Sequence, residues 1–268
     1  MLSTLATILK DNWQWRKQIV RLALFDLIKK SRGAVFSWAW LFVKPLVFIF
    51  VFWFALDIGL RVGRDMDPPY FLWLVAGLIP WFFMQEMLGA GSDVLHRYSY
   101  LVTKIKFPLS GIPTVFGVST LVVHLGLVVM LFAIYFAMGM PLDIYLIQVP
   151  LIIILMFLFF YLYSLFTSLL SALSKDFANL VKALITPLFW LSGIIFDSTT
   201  LSIQWIKTVL LFNPITFFAT AFRSAFHAKT WVWDNPQSLG AFGIVFIATL
   251  IATLIIHKRL AKEVPDVF

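Results

Sequence analysis

Residues 213–226 read NPITFFATAFRSAF, with four phenylalanines and one arginine just before the last long apolar run of the chain. A helix needs about 20 mainly apolar residues to cross a bilayer, so this stretch is too short to span one. Asn213-Pro214 breaks it from the apolar piece Leu201–Phe212, because proline cannot continue a helix and restrains the residue before it. Two short apolar pieces around such a break describe a re-entrant hairpin that dips into one leaflet and returns. Backbone of that kind is tolerated at depth only where protein or a cavity surrounds it. Two amphipathic helices lying flat on the outer surface read the same way. The hairpin reading puts Arg223 near the outer headgroup level.

The rest of the chain supports a membrane setting. Of 268 residues, 61% are hydrophobic and 13% charged, far more apolar than a water-soluble domain. The 29 Phe and 11 Trp suit lipid-facing walls and interfacial belts. Cysteine is absent, which leaves no disulfide framework, thiol nucleophile or Cys-based metal site. The net charge of +8 is read as cytoplasmic loops rather than a nucleic-acid surface.

Six apolar runs are long enough to span: about 36–60, 71–95, 111–138, 144–173, 180–196 and 239–257. Fifteen Lys and Arg lie in segments 1–35, 96–110, 174–182 and 258–268, against five in 61–70, 139–143 and 197–238. The positive-inside rule then puts both termini in the cytoplasm. The expected fold is all-α integral membrane, with six transmembrane helices in 36–268 and a re-entrant segment at about 197–230. Residues 1–35 are too often interrupted by charge to span. With Trp13, Trp15 and a broad apolar side, they read as an amphipathic cytoplasmic interfacial helix, or as an extension packed on the protein.

Phosphate-loop, zinc-protease, nucleophile-elbow and Asp-rich metal motifs are all missing, so the sequence offers no catalytic or metal-ligating residues. Within the spans, Glu86 and His124 stand out as ionisable, as a mutual pair or as functional groups. Lys29, Lys30 and Arg32 lie where the chain enters the membrane, and Lys44 sits beside Pro45 in the first span. These four are candidates for an entry site for anionic headgroups, or for simple interfacial anchoring. Phe36, Trp38, Trp40, Phe48, Trp81, Phe82, Phe83 and Tyr161 are candidate channel aromatics, suited to stacking on sugar rings, or alternatively lipid and packing contacts. Residues 98–106 are basic and aromatic, with room for two helical turns before Pro108, and read as a docking knob or a plain connector.

The order of these features resembles a known family. KIKFPLSGIP (104–113), LSKDFANLVKALITPLFWLSGIIF (173–196) and NPITFFATAFRSAF are similar to the membrane subunits of ABC exporters that carry lipid-linked polysaccharides. WFFMQEMLGAGSDVLHRYSYLVTKIKFPLSGIP (81–113), IYLIQVP (144–150) and the VPDVF end resemble wall teichoic acid permeases within that group, with O-antigen and capsule exporters next. The resemblance implies a plasma-membrane homodimer docked to two separate ATPase subunits, which hold the ATP and Mg; this chain has no cofactor of its own. It implies docking through Tyr98, Ser99, Tyr100, Leu101, Lys104 and Lys106, and through Lys175-Asp176, where other members often carry Arg-Asp. The implied cargo is a polyprenyl-pyrophosphate-linked anionic polymer, with membrane lipids around the protein and an outer exit shaped by Asn213 and Pro214, where Arg223 meets the anionic cargo. A drug or small-lipid export permease shares the architecture. A prenyl-phosphate enzyme lacks its carboxylate pair here, and an ion-coupled transporter lacks its internal repeat.

Overall fold

The computed structural model describes residues 1–31, 37–63, 67–141, 143–198 and 200–268. Every regular element among them is helical. Two N-terminal helices, α1 (Leu2–Gln14) and α2 (Arg16–Ser31), precede α3 (Trp40–Trp53), which runs on as a π-helical turn to Gly59. Then come α4 (Tyr70–Ser92), the short α5 (Val94–Arg97) and α6 (Ser99–Ile105), and the long α7 (Gly111–Ala137) and α8 (Val149–Leu173). The chain finishes with α9 (Lys175–Leu191), α10 (Gln204–Leu211), α11 (Pro214–Arg223), α12 (Pro236–Leu260) and α13 (Val264–Val267).

Among the described residues, five stretches are long and apolar enough to cross a membrane: Trp40–Gly59, Tyr70–Ser92, Gly111–Ala137, Ile144–Leu173 and Pro236–Leu260. α9 is shorter, at 17 residues, and its neighbours decide its course. At its middle Lys182 bonds Asp93, just past the end of α4, at 2.8 Å. Beyond its end the Ile195 carbonyl accepts from the Tyr70 hydroxyl, at the start of α4, at 2.9 Å. α9 therefore runs antiparallel alongside α4 toward its Tyr70 end, and is the candidate for a sixth crossing.

α10 and α11 meet at 86°. Asn213 caps α11 by accepting from the Ile215 N–H at 2.9 Å, while its side-chain amide donates to Ser192 at 2.8 Å. Pro214 fills the first helical position, where a missing N–H costs nothing. Past α11, the side-chain amide of Gln148 donates to the Thr230 carbonyl and its oxygen accepts from the Val232 N–H. Ser192 and Gln148 both lie at the Tyr70 end of the bundle, so the pair enters and leaves at one end. α11 does not lie flat on a surface: Phe218 and Phe222 are fully buried. Phe217 stacks on Phe242 of α12 with centroids 4.2 Å apart.

The N-terminal segment is two helices meeting at Trp15 rather than one. Ile19, Ala23, Asp26 and Leu27 of α2 are buried, and α2 packs on α7. Val20, Leu24, Phe25 and Ile28 stay exposed on the other side. The helix thus packs on the protein along one stripe and offers an apolar outer surface along another. Asn12 of α1 donates to the Tyr161 hydroxyl at 3.2 Å, and α1 also contacts α12. α1, α2, α5, α6, the start of α9 and the end of α12 gather at one end, with Arg97, Lys104, Lys106, Lys175, Lys258 and Arg259; this is the basic end of the bundle.

Arg223 departs from the expected exit position. It is only 6% exposed. Its guanidinium donates to the carbonyls of Trp73 (3.2 Å), Gly193 (2.7 Å) and Ile194, and lies 3.3 Å from the centre of the Trp73 ring. The physical reason is packing room: α11 crosses α4 at Gly77, where a Cβ would overlap the guanidinium. A side chain enclosed this way pins α11 to α4 and to the end of α9, and has no donor face open to passing cargo. Replacing Arg223 by Met should lower stability by about 2–4 kcal/mol through the lost charged hydrogen bonds and stranded carbonyls. Gly77→Val should cost a similar amount, and the double variant less than the sum. Melting of the purified variants in one detergent checks this.

Candidate functional site

Between the end of α2, α3, α4 and α7 lies a cavity of about 510 Å³. Its polar lining begins on α4, which is buried along most of its length but leaves Gln85 and Glu86 exposed. Polar side chains inside a span are costly against lipid and are kept where they meet water or a polar guest. Lys30 of α2, Lys44 of α3 and Arg97 of α5 bring three cations to its lining, against the one carboxylate of Glu86. Trp40, Phe48, Phe82 and Phe83 supply aromatic faces. His124 closes the deep end, its ring 5.4 Å from Phe83 and 5.8 Å from Phe222 of α11. His124 is 1% exposed, and among the described residues neither ring nitrogen makes a well-formed hydrogen bond.

The local sequence explains why the wall opens here. Pro45 sits inside α3 and contributes no backbone N–H, and Lys44 beside it extends into the cavity. α3 meets the body mainly through rings: Phe48 contacts Phe82 at 5.7 Å and Phe189 at 5.6 Å, and Phe52 contacts Phe189 at 5.1 Å.

Behind the cations lies a buried carboxylate, Asp26 of α2. It accepts from the Ser119 hydroxyl of α7 at 2.6 Å and from the Tyr98 hydroxyl between α5 and α6. It pairs with Lys30 at 3.4 Å and Arg97 at 3.7 Å. Lys30 also donates to Ser119 at 3.1 Å, and both cations lie over the Phe116 ring. Burial pushes the Asp26 carboxyl up, but the hydrogen bonds from Ser119 and Tyr98 and the charges of Lys30 and Arg97 outweigh it and leave the group below the ordinary aspartate value. Burial, only partly offset by Asp26 and Glu86, lowers the Lys30 ammonium. Burial and the bond to Asp26 raise the Tyr98 phenol, so it stays a donor.

The structure brings together Lys30, Lys44, Trp40, Phe48, Phe82, Phe83, Glu86 and His124 from the residues singled out in the sequence, and adds Arg97. Glu86 and His124 share the cavity without bonding each other. Lys29 is exposed and Trp38 is 44% exposed, and neither lines the cavity. Arg32 and Phe36 lie outside the described residues. Two expected channel aromatics are placed elsewhere. Trp81 is 1% exposed and packs on Phe189 at 5.3 Å, because its side of α4 faces the core. Tyr161 donates to the Ser110 carbonyl at 3.1 Å and accepts from Asn12, so its hydroxyl ties α8 to α1.

In α6 the expected docking residues divide. Tyr98 and Leu101 are buried and anchor the element, while Tyr100, Lys104 and Lys106 are exposed and Ser99 is half-buried. Lys106 closes the helix in the left-handed region with φ 53°, and Phe107 beyond it tucks against Trp15 at 4.9 Å. Lys175 and Asp176 are exposed at the start of α9. Sequence reasoning missed Asp26 and Ser119. The only signal for Asp26 was an acidic residue four positions before Lys30 on a helix.

A family model described as ABC-2 type transporter matches residues 17–227, a stretch that runs from α2 past α11. The chain is similar to an "O-antigen export system permease protein RfbA" of Myxococcus xanthus, 20% identical over 242 residues that make up 90% of this chain and 92% of that protein. Two proteins of the same name from Klebsiella pneumoniae are 26% and 24% identical over 239 residues, 87% of this chain and 88% of theirs.

Three cations around an aromatic-walled cavity suit an anionic amphiphile. Farnesyl diphosphate should bind the purified protein, and Lys44→Glu should weaken that binding about tenfold, equivalent to about 1.4 kcal/mol. Lys29→Glu, outside the cavity, should change it little; titration calorimetry in nanodiscs reads both.

Proposed function

The chain belongs to the ABC-2 type transporter family, and from that membership we propose that it is the membrane subunit of an ATP-driven exporter of lipid-linked polysaccharide. The observation that carries this is the cavity, which Lys30, Lys44 and Arg97 line together with Trp40, Phe48 and Phe82. A polyprenyl-pyrophosphate-linked polymer has an apolar tail and an anionic, sugar-bearing head. The head cannot cross about 30 Å of hydrocarbon unaided. Cations receive its phosphates, aromatic faces tolerate sugar rings in many orientations, and the tail stays in lipid.

The cargo follows the relatives, which are named as O-antigen export permeases. The sequence resemblance had ranked teichoic acid first and O-antigen second; the relatives favour the second. The basic end is the cytoplasmic end, by the positive-inside rule, and the membrane is the plasma membrane. Two ATPase subunits dock there, on the exposed Tyr100, Lys104 and Lys106 and on Lys175-Asp176, and supply ATP and Mg. A second copy of the chain completes the pathway. Its support is the exposed apolar surface of α3 and α9, including Val47, Phe50, Val51, Phe54, Leu184 and Leu191. The α10–α11 hairpin shapes the outer exit through its buried phenylalanines rather than through the charge of Arg223.

Co-purification with the ATPase subunit tests the docking. The wild-type chain should bring the ATPase down in equal amount, and Tyr100→Glu with Lys104→Glu should cut recovery at least tenfold without lowering the melting temperature. Reconstituted vesicles should then move lipid-linked polysaccharide to the opposite leaflet only with ATP. A wild-type chain recovered without ATPase from membranes that contain it would overturn the proposal.

A further inference from the structure

Asp26 has no part in the transport scheme above, yet its position is unusual. One buried carboxylate touches three things at once: the foot of α6 through Tyr98, the wall helix α7 through Ser119, and two of the three cations of the cavity through Lys30 and Arg97. Its side chain is 3% exposed, whereas that of Arg97 is 41% exposed and that of Lys30 16%, so the cations reach from the carboxylate toward open space. Lys30 lies between two carboxylates, with Asp26 behind it and Glu86 acting on it from the cavity side.

We propose that Asp26 is a positioning residue that links the docking element α6 to the charge presented in the cavity. The link rests on the reading of α6 as the ATPase contact. While Tyr98 and Ser119 donate to Asp26, the carboxylate's acceptor capacity is shared between hydroxyls and cations, and Lys30 and Arg97 remain available to the cavity. When α6 shifts and takes the Tyr98 hydroxyl away, a buried carboxylate is left short of a donor. Such a group is costly until cations compensate it. Lys30 and Arg97 then close on Asp26, and the cavity loses grip on an anionic head. Movement at the basic end thus reaches the cavity through one hydrogen bond and two ion pairs.

A plain staple holding α2 to α7 predicts something different, since weakening it from either side would only loosen the fold. The proposed link predicts opposite signs. Tyr98→Phe removes one hydroxyl, pulls the cations back and should weaken farnesyl diphosphate binding about fivefold, the scale of a single hydrogen bond. Asp26→Asn keeps the shape, frees both cations and should tighten binding by about the same factor. Both are measured on the full chain in nanodiscs, on variants whose melting temperature matches wild type within error. If Asp26→Asn does not fold, Asp26→Thr, which also removes the charge that holds Lys30 and Arg97, replaces it and must tighten binding while Tyr98→Phe weakens it. Equal signs for Tyr98→Phe and Asp26→Asn, or no change in either, overturn the link. Failure of the wild-type chain to bind the diphosphate removes the proposed function instead, so the two are told apart.

Discussion

A polar group carried into hydrocarbon must find its partners inside the protein, because no water is there to supply them. That constraint governs the molecule from end to end. At Arg223 it is met completely, with three carbonyls and a tryptophan face enclosing one guanidinium. The partners come from α4 and from the turn after α9, so satisfying one side chain also fixes where three helices stand. Asn213, Ser192, Thr216 and Gln148 do the same on a smaller scale, each tying the irregular backbone around the hairpin to a neighbour. The re-entrant helix can sit deep because its own ends are paid up in hydrogen bonds.

The cavity on the other side is where the same constraint is left partly open. Gln85 and Glu86 are exposed on a helix that is otherwise core, and His124 is buried without a good partner. Lys30 and Arg97 are only half compensated by Asp26, which sits behind them. The polar groups around Arg223 and Asn213 are closely paired, whereas those lining the cavity are left partly open. Binding capacity follows from that division, because a guest gains most where the protein has not already filled its donors.

Much of the architecture was legible in the sequence. Apolar runs gave the spans, and Asn213-Pro214 gave the hairpin, since proline chemistry is local. The cavity was legible in part: Lys30, Lys44, Trp40, Phe48, Phe82 and Phe83 converge as charged and aromatic residues near one membrane face. What stayed hidden was long-range. Nothing near Arg223 in sequence says that Gly77 leaves it a slot, and nothing near Asp26 points to Tyr98 or Ser119. Trp81 and Tyr161 look like any other aromatic in a span until the facing helix is known. Composition says that an aromatic will be near the membrane, but only packing says which way it turns.

The attachment of α3 has a mechanical consequence. It is joined to the body by ring contacts among Phe48, Phe52, Phe82 and Phe189, with most of its surface bare. Ring contacts are far less directional than hydrogen bonds, and sliding one past another strands no hydrogen-bond donor or acceptor. The Arg223 junction cannot yield in that way, because any displacement breaks directed bonds. The molecule is therefore compliant along one flank and stiff along the other, and a load applied to it is taken up as strain at the aromatic seam.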